Sequence, residues 1–354
     1  MSNVAKNVIW PQDAEILVRV VVMHVGQGAS AIVLAADGDT YKTILIDINL
    51  NGKCDGIDVP RLMSDLLGAD NKRLGVFVNT HPHSDHLSGV TELADAVVID
   101  EVWHSGHKPG KKHETAYKNL QAVLKKVKKA GGTETKLRGS RSPMQIGEAE
   151  CYILAPAEYV VEDIAEESED ERYQRIHEQC AVLKFGVGDT WIMMTGDADR
   201  GAWEKHITNY HRERLPAVVL EAAHHGSRTF FRYNEEDAPY PDALEQIAPT
   251  YVVISAPRTE ESQWGHPHKD AVELYTNAVG KDNVLHTGDK RHSFICDILS
   301  DGECTIQSDN GDLADAYPIG NGDSGDGEGG GKGGTTSISS TRSGTRVDHR
   351  PMGA

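Results

Sequence analysis

The sequence predicts an α/β fold in which layers of sheet are covered by helices. Short β-branched apolar runs recur from residue 17 to residue 299, and amphipathic stretches interrupt them instead of following in one block. The chain has 354 residues, 38% of them hydrophobic, enough for the core of one large domain or two ordinary ones. Strands are expected at 17–25, 31–35, 43–47, 75–79, 97–103, 149–154, 180–185, 190–194, 217–222, 251–255 and 293–299. Helices are expected at 59–67, 90–93, 113–130, 202–210, 243–247 and 268–277. The third of these carries Leu120, Val123, Leu124 and Val127 on one face and stops at Gly131-Gly132. The acidic run 162–178 reads as a solvated loop or helix end, and no repeat of solenoid period is present.

The net charge of -18 argues against a nucleic-acid binder that relies on bulk positive charge. Residues 319–354 are Gly-, Ser- and Asp-rich with few apolar side chains, so they are expected to form a disordered tail after a folded unit of residues 1–318. That tail holds four acids and four bases, which leaves the whole -18 on residues 1–318. Between His107 and Ser142 eleven Lys or Arg face two Glu, a local surplus of nine positive charges. Those lysines either complement a helix C-terminus or form an anion-attracting surface. Five scattered cysteines fit reduced thiols better than a disulfide framework. No run approaches the ~18 apolar residues of a membrane span and no signal peptide is evident, so a cytoplasmic protein without membrane contact is expected.

The seventeen histidines cluster, and the clusters carry the chemistry. After the apolar run Val76-Phe77-Val78 comes Asn79-Thr80-His81-Pro82-His83-Ser84-Asp85-His86. Three imidazoles and a carboxylate on one strand-to-helix loop can surround metal without distant partners, and their alternation suits two neighbouring cations. Downstream, Thr195-Gly196-Asp197 follows another apolar run, and His224-His225-Gly226-Ser227 follows a third. Gly265-His266-Pro267-His268 precedes the last expected helix, where His266 reads equally as a substrate contact or as part of a helix-entry loop. Cys180 reads as a small buried core residue, and His206, His211, His286 and His292 as surface residues.

The His-x-His-x-Asp-His pattern, with Asp47 upstream and the Asp197 and His225 motifs downstream, resembles the metallo-β-lactamase superfamily. The resemblance implies a four-layer αββα sandwich. Within that superfamily, Val25-Gly26-Gln27-Gly28 with Ser30, together with the motifs at 195–197, 224–227 and 265–268, resembles the lactamase-like domain of ComEC-type DNA-uptake proteins. That branch carries Asp where this chain has His24 and Ala29. It also includes relatives of phosphorylcholine esterase, and so implies a phosphodiester substrate.

By the same resemblance one cation takes His81, His83 and a third residue twenty positions before Asp197, which is His177; His104 and a site completed by water remain alternatives. The other takes Asp85, His86 and His225, with Asp197 shared, while Asp47 orients the histidine loop. Asp85, His224 and His266 are the residues expected to touch the reacting groups. Two divalent ions, Zn2+ by ligand type with Mn2+ or Fe2+ as alternatives, would activate a shared water for in-line attack. The expected reaction is hydrolysis of a phosphodiester in a nucleic acid, a nucleotide or a smaller ester. The scaffold also hosts lactone, thioester and amide hydrolysis, and a non-catalytic interaction module is the reading of another class.

Overall fold

The computed structural model describes residues 3–50, 55–68, 72–157 and 167–320. Its strands in chain order are β1 (Ile16–Val22), β2 (Ala31–Asp37), β3 (Thr40–Ile46), β4 (Ile48–Asn49), β5 (Arg73–Asn79), β6 (Leu87–Ser88), β7 (Val98–His104), β8 (Thr133–Lys136) and β9 (Met144–Ile146). They continue as β10 (Ala149–Ala155), β11 (Val182–Val187), β12 (Thr190–Met194), β13 (Val219–Glu221), β14 (Tyr251–Ile254), β15 (Val284–His286), β16 (Phe294–Leu299) and β17 (Cys304–Ser308). The first five α-helices are α1 (Val4–Ile9), α2 (Val59–Leu67), α3 (Val90–Ala96), α4 (Glu114–Lys129) and α5 (Glu169–Glu178).

Eight strands form one sheet in the order β17-β16-β1-β2-β3-β5-β7-β8, and seven form a second in the order β15-β14-β13-β12-β11-β10-β9. Alternation along the strands sorts their side chains into two cores. Val18, Val20 and Val22 of β1 and Val33 of β2 meet Leu183, Phe185, Ile192 and Met194 between the sheets. Val21, Ile32, Leu34, Leu45 and Phe77 point the other way, onto Leu62 and Leu66 of α2, Leu93 of α3 and Leu120 and Leu124 of α4. A third cluster packs Val182, Met193, Leu220 and Val252 under Trp203, Phe230 and Tyr275. Both sheets are thus buried on two faces, which is why their strands read as near-continuous apolar runs. The result is the expected αββα sandwich.

In each sheet the strands that lead to the histidine motifs run parallel. β3, β5, β7 and β8 pair in parallel in the first sheet, as do β12, β13 and β14 in the second. Their C-terminal ends open at one rim of the sandwich, the usual place for a site in parallel sheets.

Several expectations change. The acidic run is a helix from Glu169 onward, because Ser168 and Glu171 form a reciprocal capping box at its start; residues 158–166 lie outside the described residues. The helix expected at 202–210 is a π-helical turn over Ala202–Ile207 followed by an α-turn over Thr208–His211. His211 is buried instead of lying on the surface, and His206 is paired with Glu178. The expected tail falls outside the described residues from residue 321 onward, while the Ile319 amide still donates to the Gly56 carbonyl. Cys151, Cys180, Cys296 and Cys304 are unpaired thiols; Cys54 is outside the described residues. Among the described residues no helix is long and apolar enough to cross a membrane.

Candidate metal centre

All the candidate ligands but His177 stand just past a strand end. β3 delivers Asp47, whose left-handed backbone (φ 54°) turns the carboxylate back over β5. Asp47 Oδ1 accepts from the Thr80 amide at 2.8 Å and from Asn79 Nδ2 at 3.2 Å. Its Oδ2 accepts from Thr80 Oγ1 and His86 Nδ1, both at 2.6 Å. Four donors therefore pin the loop 79–86 around one buried carboxylate. The loop is also buttressed from Gly28: a Cβ there would lie 2.5 Å from the Asp85 carbonyl oxygen and 2.6 Å from Asn49 Cγ. This close approach requires glycine. β12 delivers Asp197, whose amide donates to Cys180 Sγ at 3.2 Å. The thiol is fully buried, as expected, and backs both Asp197 and His81.

β13 delivers His224 and His225, both in the left-handed region at φ 52° and 58°. Side chains other than glycine seldom adopt this conformation, and here it aims two consecutive imidazoles into one cleft. His177 comes from the last turn of α5. That helix is held by Arg175, which forks Glu167 through Nε and Nη2 at 2.5 and 2.8 Å.

These residues converge on Asp197. Its Oδ1 is 3.1 Å from His86 Nε2 and 3.6 Å from His225 Nε2. Its Oδ2 is 3.5 Å from His81 Nε2, 3.8 Å from His177 Nε2 and 3.5 Å from His224 Nε2. Ligand atoms fall into three groups within which all lie inside 4.8 Å of one another: His81 with His83 and His177; Asp85 with His86, Asp197 and His225; and His177 with Asp197 and His224. The expected residues come together, and the third group adds that His224 stands as near Asp197 as His81 does. His104 is elsewhere, with Nε2 on Glu134 at 2.8 Å and Nδ1 accepting from the Gly106 amide.

The chemistry of this donor set fits divalent cations. His86 donates through Nδ1 to Asp47, and His225 Nδ1 lies 3.0 Å from the Ser255 carbonyl, so in its neutral form each ring presents its lone pair at Nε2. Nε2 of His81, His86 and His225 and Oδ1 of Asp197 are buried without a hydrogen-bond partner. Unmatched buried polar atoms are rare unless something else meets them. The charge states of His81, His83, His177 and Asp197 agree. Burial, with His86 next in importance, holds His81 well below 6.5, and burial with His113 lowers His83 to about 3. Burial and then His224 keep His177 neutral as well. Burial opposes ionisation of Asp197, but the surrounding imidazoles, His86 first, overcome it and hold the acid well below its usual range. Burial also opposes charging His86, yet Asp197 and Asp47 hold it well above 6.5. Neutral imidazoles about an ionised carboxylate are the donor set that zinc-class cations take, and His86 and His225, whose charged forms burial opposes but Asp197 favours, would each release a proton on binding a cation at Nε2.

The cleft over this cluster has a volume of about 660 Å³ and is lined by Lys112, His113, Tyr173, Trp264, His266 and His268 beside the cluster itself. His266 is buried, with its ring 5.3 Å from that of His224; burial, then His224 and His225, lower it to about 2. Sequence reasoning missed His113, Tyr173 and Glu221. Tyr173 stacks on His83 at 5.2 Å and 14°. Glu221 is buried behind the cluster, and burial followed by the charge of Asp47 raises it to about 7.

Residues 55–168 match the family model described as Metallo-beta-lactamase superfamily. The matched segment carries the 81–86 loop, and the sandwich around it is the fold of that class. No curated protein matches the sequence. Among solved structures, the chain is similar to a diphosphatase from the PhnP family at 14% identity, over 77% of this chain and 95% of that one, with a TM-score of 0.39. It is similar to an archaeal metallo-β-lactamase superfamily protein from Sulfolobus tokodaii at 16% identity, over 50% and 62% of the two chains, with a TM-score of 0.27. A β-lactamase domain protein from Burkholderia ambifaria is similar at 13% identity, over 52% and 54%, with a TM-score of 0.30.

Proposed function

We propose that this protein is a dinuclear metal-dependent hydrolase acting on phosphodiesters. The observation that carries the reading is the position of Asp197, both of whose carboxylate oxygens lie within 3.8 Å of imidazole nitrogens from separate motifs. His81, His83 and His177 would hold one cation and Asp85, His86 and His225 the other, with Asp197 between them. When bound, such a pair supplies Lewis acidity toward a phosphoryl oxygen and lowers the pKa of water. The chain supplies the rest. Asp47 and Ser255 fix the tautomers of His86 and His225, Asp85 and Asp197 balance charge, and His224 and His266 face the substrate from the second sheet. Donors on both flanks of the cleft, including Lys112, His266 and His268, support an anionic oxygen-rich substrate. The ComEC-like pattern at 25–30 and 265–268 supports the same substrate class, a nucleic acid, a nucleotide or a small diester. Zinc is the proposed metal and manganese or iron the alternatives. The unpaired cysteines support action in the cytoplasm, and the proposed hydrolase unit is residues 1–318 followed by a Gly/Ser-rich tail.

Turnover of bis(4-nitrophenyl) phosphate tests this. It should be abolished by chelation, restored by zinc or manganese, and absent in Asp197→Ala. Metal-loaded protein that is inert on all phosphodiesters yet cleaves lactones or thioesters would refute the reading.

A further inference from the structure

His113 belongs to none of the three ligand groups, yet it lines the same cleft. It is 9% exposed, and its ring stacks on His83 with centroids 4.1 Å apart at 25°. The backbone amide of Ser84, inside the histidine loop, lies 3.1 Å from His113 Nδ1. An amide nitrogen can only donate, so Nδ1 must offer its lone pair, and the proton of the neutral ring is on Nε2. That Nε2 is buried and has no hydrogen-bond partner. Donation at Nε2 disqualifies the ring as a metal ligand and equips it for an acceptor. The acceptor's charge is indicated by the surroundings. Lys112, the preceding residue, also lines the cleft and holds its ammonium 4.6 Å from the centre of the Trp264 ring. His113 itself is the N-cap of the 16-residue α4, so the positive end of a helix dipole lies at its back.

We propose that His113 is a substrate-contacting residue whose Nε2–H donates to a phosphoryl oxygen at the His81–His83–His177 flank of the centre. The inference rests on the hydrolase reading above and adds a recognition contact supplied by neither the cations nor the sequence motifs. Its device is positional: the loop that bears His81, His83 and Asp85 uses its own Ser84 amide to set the tautomer of the residue that meets the substrate.

Two substitutions separate this role from a structural one. The amide oxygen of His113→Asn can still accept from the Ser84 amide but cannot reach the Nε2 position. The amide nitrogen of His113→Gln can reach that position. With zinc content and fold matched to wild type, His113→Asn should lower kcat/KM for bis(4-nitrophenyl) phosphate by about 10- to 100-fold, the range for one hydrogen bond to a charged group. It should weaken inorganic phosphate binding to the zinc-loaded protein in parallel, and His113→Gln should recover much of both. Wild-type values in His113→Asn, or a greater loss in His113→Gln than in His113→Asn, would overturn the proposal and leave His113 a support for the loop. Long-range 1H–15N NMR of metal-free protein reads the tautomer without activity: the expected state is Nε2–H, and Nδ1–H overturns it. Wild-type protein that cleaves no phosphodiester would sink the hydrolase reading alone, since the tautomer and the phosphate titration still decide the role of His113.

Discussion

Replacing Asp47 with asparagine changes one atom and should disable one half of the metal centre. The carboxylate accepts four hydrogen bonds, two at each oxygen. An asparagine oxygen can serve the Thr80 amide and Asn79, but its NH2 then faces Thr80 Oγ1 and His86 Nδ1. The hydroxyl can rotate to accept. The neutral imidazole can accept at Nδ1 only by carrying its proton on Nε2, which is the atom that faces Asp197 at 3.1 Å. His86 would then present an N–H where a lone pair is needed. Loss of a carboxylate that orients a ligating histidine typically costs 10- to 100-fold in metal affinity, or about 1.4–2.8 kcal/mol. Competition against a zinc-binding dye, paired with elemental analysis, should show one cation held nearly as in wild type by His81, His83 and His177. The second should be weakened by about 10- to 100-fold. Two sites of unchanged affinity would show that Asp47 does not govern His86 and would refute the tautomer argument.

Three further outcomes follow from other parts of the site. Gly28→Ala places a Cβ against the Asp85 carbonyl, so it should displace the histidine loop and destabilise the fold by about 1–3 kcal/mol; an unfolding midpoint equal to wild type would contradict the buttress. Glu221 is raised to about 7 by burial and then by Asp47, so it stabilises the fold below the usual carboxyl range and loses that contribution as pH rises through 7. Glu221→Gln should therefore stabilise chelated protein at pH 8 by up to about 2–3 kcal/mol, and a loss of stability there would reverse the account. His83, His211 and His266 are lowered to about 3, 4 and 2, by burial first in each case. The unfolded chain then takes up protons near pH 6.5 that the fold refuses. Stability of chelated protein should fall from pH 6.5 toward 4, by at most about 1.4 kcal/mol per pH unit for each group, and denaturant midpoints that stay flat over that window would contradict it.

The parts of the centre legible in the sequence were those whose geometry is local. His81, His83, Asp85 and His86 sit on one loop, so the strand before them and their spacing suffice. Asp197 and His225 were legible as strand-end motifs because the parallel strands β12 and β13 put both at one rim. His177 was legible by resemblance alone, since the acidic composition of its segment hides the helix that aims it. The capping box at Ser168 and Glu171 was the signal that could have shown α5. His113 was not legible: its tautomer is set by an amide 29 positions earlier. The short edge strand β8 (Thr133–Lys136) was missed because its side chains are only partly buried and mostly polar, and the burial of His211 depends on long-range packing that no local pattern reports.

The measurement that bears most directly on the central claim is a crystal structure of zinc-loaded protein with anomalous data at the zinc edge. Two peaks should appear, each about 2.0–2.2 Å from an oxygen of Asp197, one among His81, His83 and His177 and the other among Asp85, His86 and His225. A single peak, or two peaks that Asp197 does not join, would contradict the account.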